Sequence, residues 1–247
     1  MGSVLLNKLT YTQFGEQAIL IEWKSILDET ILADILDFKR KIVSEQNIDF
    51  LDIIQGYNSL TILYKNEIFD FKREVDFLKS VYISTLKKGE QKFYQWEIPV
   101  CYDLKFGIDL EEISKEKKLT IQKIVELHLE AIYRIYFIGF LPGFLYLGGL
   151  NEQLFMDRKS NPRLQVTKGA VGIGGKQTGV YPNNSAGGWN IIGNTPIDFF
   201  DIKKENPCFA KAGDAIKFKA ISLDEFYLIN EEIKENTYQL IKKVYNA

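Results

Sequence analysis

Apolar and polar positions alternate with two different periods in the first third of the chain. From Val4 to Gln13 and from Gln17 to Trp23 the apolar residues recur as in a strand, and then Ile31, Ile35, Phe38 and Ile42 fall on one face of a helix. Asp28, a hydrogen-bond acceptor just ahead of that stripe, predicts the helix start. Asp49 to Gly56 and Ser59 to Tyr64 predict a strand pair around Tyr57-Asn58, and Asp70 predicts a cap for a helix that turns Val75, Leu78, Tyr82 and Leu86 inward. One sheet covered by two helices, an α+β sandwich, accounts for this pattern. The polar stretch from Leu86 to Gln91 reads as a linker, dividing the chain into a small α+β domain at 1–88 and a second domain at 89–247.

Strand periodicity resumes from Lys92 to Val100, followed by two short helices, Asp109 to Lys117 and Thr120 to Glu130, each with a capping residue at its start. Beyond Ile132 the pattern is β. Runs at Ile132–Gly139, Arg163–Thr167, Ala170–Ile173, Trp189–Gly193, Asp198–Phe200 and Ala215–Ala220 are too short and too closely spaced for helical crossovers, which predicts a closed or rolled, mainly-β architecture. Ser222 and Glu225 form a capping-box pattern ahead of a C-terminal helix.

Composition narrows the function classes. A chain of 247 residues that is 46% hydrophobic can bury packed cores, and a net charge of -2 provides no basic field for nucleic acid or an anionic membrane surface. Cys101 and Cys208 stand alone, outside any metal-knuckle or disulfide pattern, and no apolar run is long enough for a leader or a membrane span, so a cytoplasmic protein with reduced thiols is expected. His128 is the one histidine, which excludes a multi-histidine metal site. Four residues after Ile124 on a partly apolar helix face, it reads as a packing residue, with general-base catalysis as the competing role. Asp157, Asp198, Asp201 and Asp214 are further acids with no spacing that pairs them.

Chemistry concentrates between Gly139 and Gly193, where glycines 139, 143, 148, 149, 169, 172, 174, 175, 179, 187, 188 and 193 fall among aromatics and prolines. The run Gly172-Ile173-Gly174-Gly175-Lys176-Gln177 satisfies neither the dinucleotide-binding nor the Walker pattern, and Tyr181-Pro182 blocks a phosphate-capping helix nearby. A cradle of successive backbone N–H groups, neutralised by Arg163, Lys168 or Lys176, remains open to ATP.

Tyr133 to Leu150, with its GFLPGFLYLGGL core, then Pro162-Arg163, Gly169 to Gly175, Gln177 to Pro182 and Gly187-Gly188-Trp189 resemble, in order, the family containing allophanate hydrolase subunit 1, the 5-oxoprolinase B subunit and the sporulation kinase inhibitor KipI. The resemblance implies a ferredoxin-like α+β domain followed by a cyclophilin-like barrel of carboxyltransferase type. Leu141, Ala186 and Asn194 depart from it, standing where a small residue, a proline and a basic residue are usual. On the matched positions Arg163 can fork onto an anion, Gln177 and Thr178 can orient a ligand, and Phe144, Tyr146, Tyr181 and Trp189 offer flat walls. Gly174, Gly175, Gly187 and Gly188 would admit backbone donors to the same ligand, with Lys168 and Lys176 as cations. Arg163, Gln177 and His128 are the catalytic candidates.

Three functions follow from the resemblance. One is the B component of an ATP-dependent 5-oxoprolinase, working with a homologue of its C component and a LamB/YcsF-type A component, with ATP and magnesium acting in the assembled complex. The second is an inhibitor that binds a sensor histidine kinase. The third is a component of an allophanate hydrolase or urea carboxylase system. In the first the chain is incomplete as a catalyst, since its sequence offers no self-contained nucleotide loop, metal cluster or triad.

Overall fold

The computed structural model describes residues 9–45, 48–85 and 92–245, which divide into two compact units on either side of the 86–91 segment. The expected linker, Leu86 as an inward helix position, and the first part of the Val4–Gln13 strand lie outside the described residues.

In the first unit β1 (Thr10–Gln13), β2 (Ala18–Glu22), β3 (Phe50–Gln55) and β4 (Ser59–Tyr64) form an antiparallel sheet in the order β1-β2-β4-β3. β4 alternates strictly, burying Leu60, Ile62 and Tyr64 against Ile35, Phe38 and Ile42 of α1 (Glu29–Ser44) and Val75 and Leu78 of α2 (Phe71–Ile83). Asp28 and Asp70 cap these helices as expected, accepting from the amides of Thr30 at 2.6 Å and Arg73 at 3.0 Å. Asp34 ties sheet and helices together by accepting from the Trp23 indole at 2.7 Å and the Tyr82 hydroxyl at 2.6 Å. The element order is ββαββα, so the strand beside β2 is an N-terminal one. A ferredoxin-like βαββαβ unit would supply a strand that follows α2.

The second unit is a closed barrel. Its strands are β5 (Phe93–Cys101), β6 (Tyr133–Ile138), β7 (Leu145–Gly148), β9 (Ala170–Gly174), β10 (Gln177–Val180), β12 (Asn190–Asn194) and β13 (Ala215–Ile221). They run β12-β9-β10-β7-β6-β13-β5, and the ring closes where Asn194 pairs with Cys101. β13 is parallel to β5, and β14 (Lys242–Tyr245) adds to the start of β5. Closure leaves few unpaired edges, which suits strands this short. Outside the ring, β8 (Arg163–Val166) and β11 (Ser185–Gly187) form their own two-stranded sheet. Arg163–Thr167, read as a barrel strand, therefore lies in this flap. Asp198–Phe200 is not a strand either, although Phe199 is buried and packs on Phe209.

Helix α4 (Ile121–Glu130) contributes Ile124 and Leu127 to the barrel core, α3 (Leu110–Lys117) contributes Leu110 and Ile113, and α5 (Leu223–Lys234) opens with both halves of the Ser222/Glu225 capping box. Thr120 caps α4 as expected, but Asp109 makes no side-chain cap on α3. Its carboxylate is drawn away to an arginine and a strand amide.

Period-two alternation explains three of the glycines. On β9, Val171 and Ile173 point into the barrel core, while Ala170, Gly172 and Gly174 point out. Gly179, opposite Gly172, also points out. Trp189 lies across this bare strip: a Cβ on Gly174 would stand 2.6 Å from its indole. Gly174→Ala is therefore expected to push Trp189 off the strands at a cost of about 1–3 kcal/mol, read as a lowered denaturation midpoint with unchanged slope.

Candidate functional site

A cleft of about 260 Å³ sits on the outer face of the barrel. Its walls are Phe144 and Tyr146 from the β6–β7 segment, Tyr181 after β10, and Trp189 ahead of β12, with Gly187 and Gly188 of the flap on one side. Phe144, Tyr181 and Trp189 meet edge to face at 5.5 Å, 5.6 Å and 6.4 Å, geometry that fixes all three rings, and Tyr146 stacks on Phe137 at 4.2 Å. Burial raises the pKa of the Tyr146 and Tyr181 phenols, partly offset by the Arg158 cation, so both stay protonated at neutral pH. A Cβ on Gly187 would lie 2.3 Å from the Tyr181 hydroxyl oxygen. Gly187→Ala is thus expected to swing Tyr181 into the cleft, lowering ligand affinity more than stability, which paired binding and melting measurements would show.

Six candidates from the sequence, Phe144, Tyr146, Tyr181, Gly187, Gly188 and Trp189, line this one cleft. Reasoning from sequence missed Phe140 and Arg158, which line it too. Phe140 carried a signal of sorts, as the large residue between Gly139 and Leu141-Pro142-Gly143. Arg158 carried none, because it lies in a connecting segment outside the matched motifs.

The remaining candidates lie elsewhere. Arg163 is held structurally: its guanidinium donates to Asp109 Oδ1 at 2.6 Å and to the Trp189 carbonyl at 3.3 Å, so the fork expected to face an anion is occupied. Lys168 pairs with Asp198. Arg163 and Lys168 border a second cleft of about 420 Å³, floored by Phe106, Val166, Ile191 and Phe226. Lys176 is exposed, its ammonium 5.7 Å over the Phe155 ring. Gly174 lies under Trp189, and Gly175, at φ +63°, makes the β9–β10 hairpin turn while exchanging backbone bonds with Met156 at 2.6 Å and 3.1 Å. Gln177 starts β10 opposite Gly174. The glycine-rich run is thus a β-hairpin whose amides serve the barrel, and it does not fit an ATP phosphate cradle.

Thr178 is corrected most sharply, whereas His128 takes the packing role read for it from the sequence. Both are fully buried. Thr178 donates to the Gly172 carbonyl at 3.0 Å, so its oxygen accepts from His128 Nε2 at 2.9 Å, and His128 Nδ1 then accepts from the Tyr102 hydroxyl at 2.8 Å. This chain assigns the proton of the neutral ring to Nε2. The ring also stacks on Phe218 at 4.7 Å. Burial lowers its pKa to about 3, so it is an uncharged core residue with neither ring nitrogen free for substrate. Thr178 is no ligand contact.

Three of the four loose aspartates are each engaged separately. Asp214 is buried and accepts from the Tyr94 amide, the Trp96 indole and the Lys211 amide, while Asp201 caps the turn at Lys203 and Asp198 pairs with Lys168. Among the described residues no group of three His, Cys, Asp or Glu could hold a metal ion, and no helix is long and apolar enough to cross a membrane. A cleft of about 540 Å³ in the first unit is ringed by charges of both signs such as Asp70, Arg73 and Glu74, and holds none of the candidates.

The family model for the carboxyltransferase domain, subdomain C and D, matches residues 9–210. The 5-oxoprolinase B subunit of Haemophilus influenzae is 41% identical over 181 residues, covering 73% of this chain and 83% of that protein. The corresponding protein of Bacillus subtilis is 32% identical over 232 residues, covering 89% and 96%. In fold the chain is similar to the K. lactis urea amidolyase structure, with a TM-score of 0.81 and 19% identity over 99% of this chain but only 17% of that much longer one. The flap, the aromatic cleft and every barrel strand but β13 fall within residues matched by the family model, and the chain belongs to the carboxyltransferase subdomain C and D family, as a relative of the 5-oxoprolinase B subunits.

Proposed function

We propose that this chain is the B component of a 5-oxoprolinase, acting with the C component and a LamB/YcsF-type A component to open the lactam of 5-oxoproline to glutamate. The observation that carries this reading is the collinear similarity to a 5-oxoprolinase B subunit over 96% of that protein's length. The cleft supports it: five aromatic rings, one arginine and no carboxylate make a small apolar cup with a single positive charge. At about 260 Å³ it falls below the ~300–1,000 Å³ usual for drug-sized ligands, which suits one small ring and not a nucleotide.

Opening a lactam at neutral pH requires activation of its carbonyl, and ATP can supply that by phosphorylating the amide oxygen. We assign ATP and its magnesium to the assembled complex and route no step through this chain's glycine hairpin. The part left to this chain is recognition: the rings take up the lactam's apolar face and displace water. Co-expression with the A and C components, followed by purification through a tag on this chain, tests the assignment. A stable complex is expected. If the chain purifies alone and instead blocks autophosphorylation of a sensor kinase, it is an inhibitor and the assignment fails.

A further inference from the structure

The basic residues from Arg158 to Lys168 are not equally paired. Lys159 is held by Asp109 and Glu112, Arg163 by Asp109, and Lys168 by Asp198. Arg158, just ahead of them in sequence and at the cleft wall, makes no ion pair among the described residues, and its guanidinium lies against an aromatic face, 5.6 Å over the Trp189 ring. No acidic residue lines the cleft. An arginine that stacks on a ring keeps its planar N–H edge available to a bidentate acceptor. Phe140, at the mouth, adds an independent sign of a ligand: it holds φ +65°, a conformation that costs a non-glycine residue on the order of 1 kcal/mol, and the residue stays 64% exposed beside Phe144.

We propose that Arg158 anchors the carboxylate of a small cyclic acid whose ring lies against Phe140, Phe144, Tyr146, Tyr181 and Trp189, and that this carboxylate decides which ligands the cleft accepts. The inference deepens the 5-oxoprolinase reading and rests on it for the identity of the acid. A ring without a charged group would gain only the aromatic contacts and leave the arginine edge unpaired. A ring with a carboxylate would replace the water on that edge by two charge-assisted hydrogen bonds.

Calorimetric titration of the full chain with 5-oxoproline and with 2-pyrrolidinone, the same lactam without the carboxylate, tests it. 5-Oxoproline is expected to bind at least about tenfold more tightly than 2-pyrrolidinone. Arg158→Gln should erase that difference by weakening 5-oxoproline alone, with melting temperature unchanged, and Arg158→Lys should restore part of it. Equal affinity for the two compounds, an unaffected Arg158→Gln variant, or no binding of 5-oxoproline at millimolar concentration overturns the anchor. The 5-oxoprolinase reading fails separately: an assembled complex that turns over 5-oxoproline with an unchanged KM in Arg158→Gln keeps that reading and loses the anchor, whereas carboxylate-dependent binding by a chain that assembles with neither partner does the reverse.

Discussion

Asp109→Ala is expected to destabilise the barrel unit by about 3–5 kcal/mol, a large share of the ~5–15 kcal/mol that holds an ordinary domain folded. Asp109 is 2% exposed. Its Oδ1 takes Arg163 at 2.6 Å and Lys159 at 3.2 Å, and its Oδ2 takes the Ile191 amide at 2.6 Å. Removing the carboxylate leaves a half-buried guanidinium without its charge partner and orphans a buried strand amide, so the lost attraction and the new desolvation act in the same direction. Arg163→Ala should cost less, about 1–3 kcal/mol, because part of that side chain already meets water. Denaturant titration of both variants reads the difference. A loss below about 1 kcal/mol for Asp109→Ala would show that the clamp does not hold the flap and β12 to the start of α3.

The second large effect is a pH dependence. An unfolded chain binds a proton on His128 near pH 6.5, whereas burial in the barrel delays that proton until about pH 3. Between those values the unfolded state carries more protons, so the contribution of His128 is fully present above pH 6.5 and is lost as the pH falls toward 3, by at most about 1.4 kcal/mol per pH unit. Acid-exposed carboxylates add their own slopes, and comparison with His128→Gln isolates this one. The variant should be less stable at pH 7 by about 1–3 kcal/mol, since the amide replaces neither the stacking on Phe218 nor both hydrogen bonds, and should lose stability less steeply on acidification. Parallel wild-type and variant curves from about pH 7 to about pH 4 would contradict the sealed, neutral histidine. Turnover in the assembled enzyme at neutral pH should be largely retained.

How much of this was legible in the sequence depended on whether neighbours in the chain or distant partners decide the outcome. The caps at Asp28, Asp70, Thr120 and Ser222 depend on an amide two or three residues away, and all four form. Asp109 has the same signature and fails, because Arg163 and Ile191 outcompete the local amide, and neither can be seen from position 109. The short strands β7 and β10 were absorbed into motif runs, and β11 has only three residues, too few to show a period. Gly174 reads as ligand-facing backbone, yet what it makes room for is an indole. Clustering of aromatics did identify the cleft, since ring-rich segments near the ends of adjacent strands meet on one face. The polar candidates failed because a hydroxyl or guanidinium in a motif is equally suited to bonding its own fold, as Thr178 and Arg163 do.

The central claim, that this chain works only as one part of a lactam-opening assembly, is tested most directly by glutamate release from 5-oxoproline, measured with ATP and magnesium for the chain alone and for the chain reconstituted with the A and C components. The account predicts no release above background from the chain alone and sustained, ATP-dependent release from the reconstituted assembly. Robust release by the isolated chain, or none from the full assembly when 5-oxoproline and ATP are saturating, would contradict it.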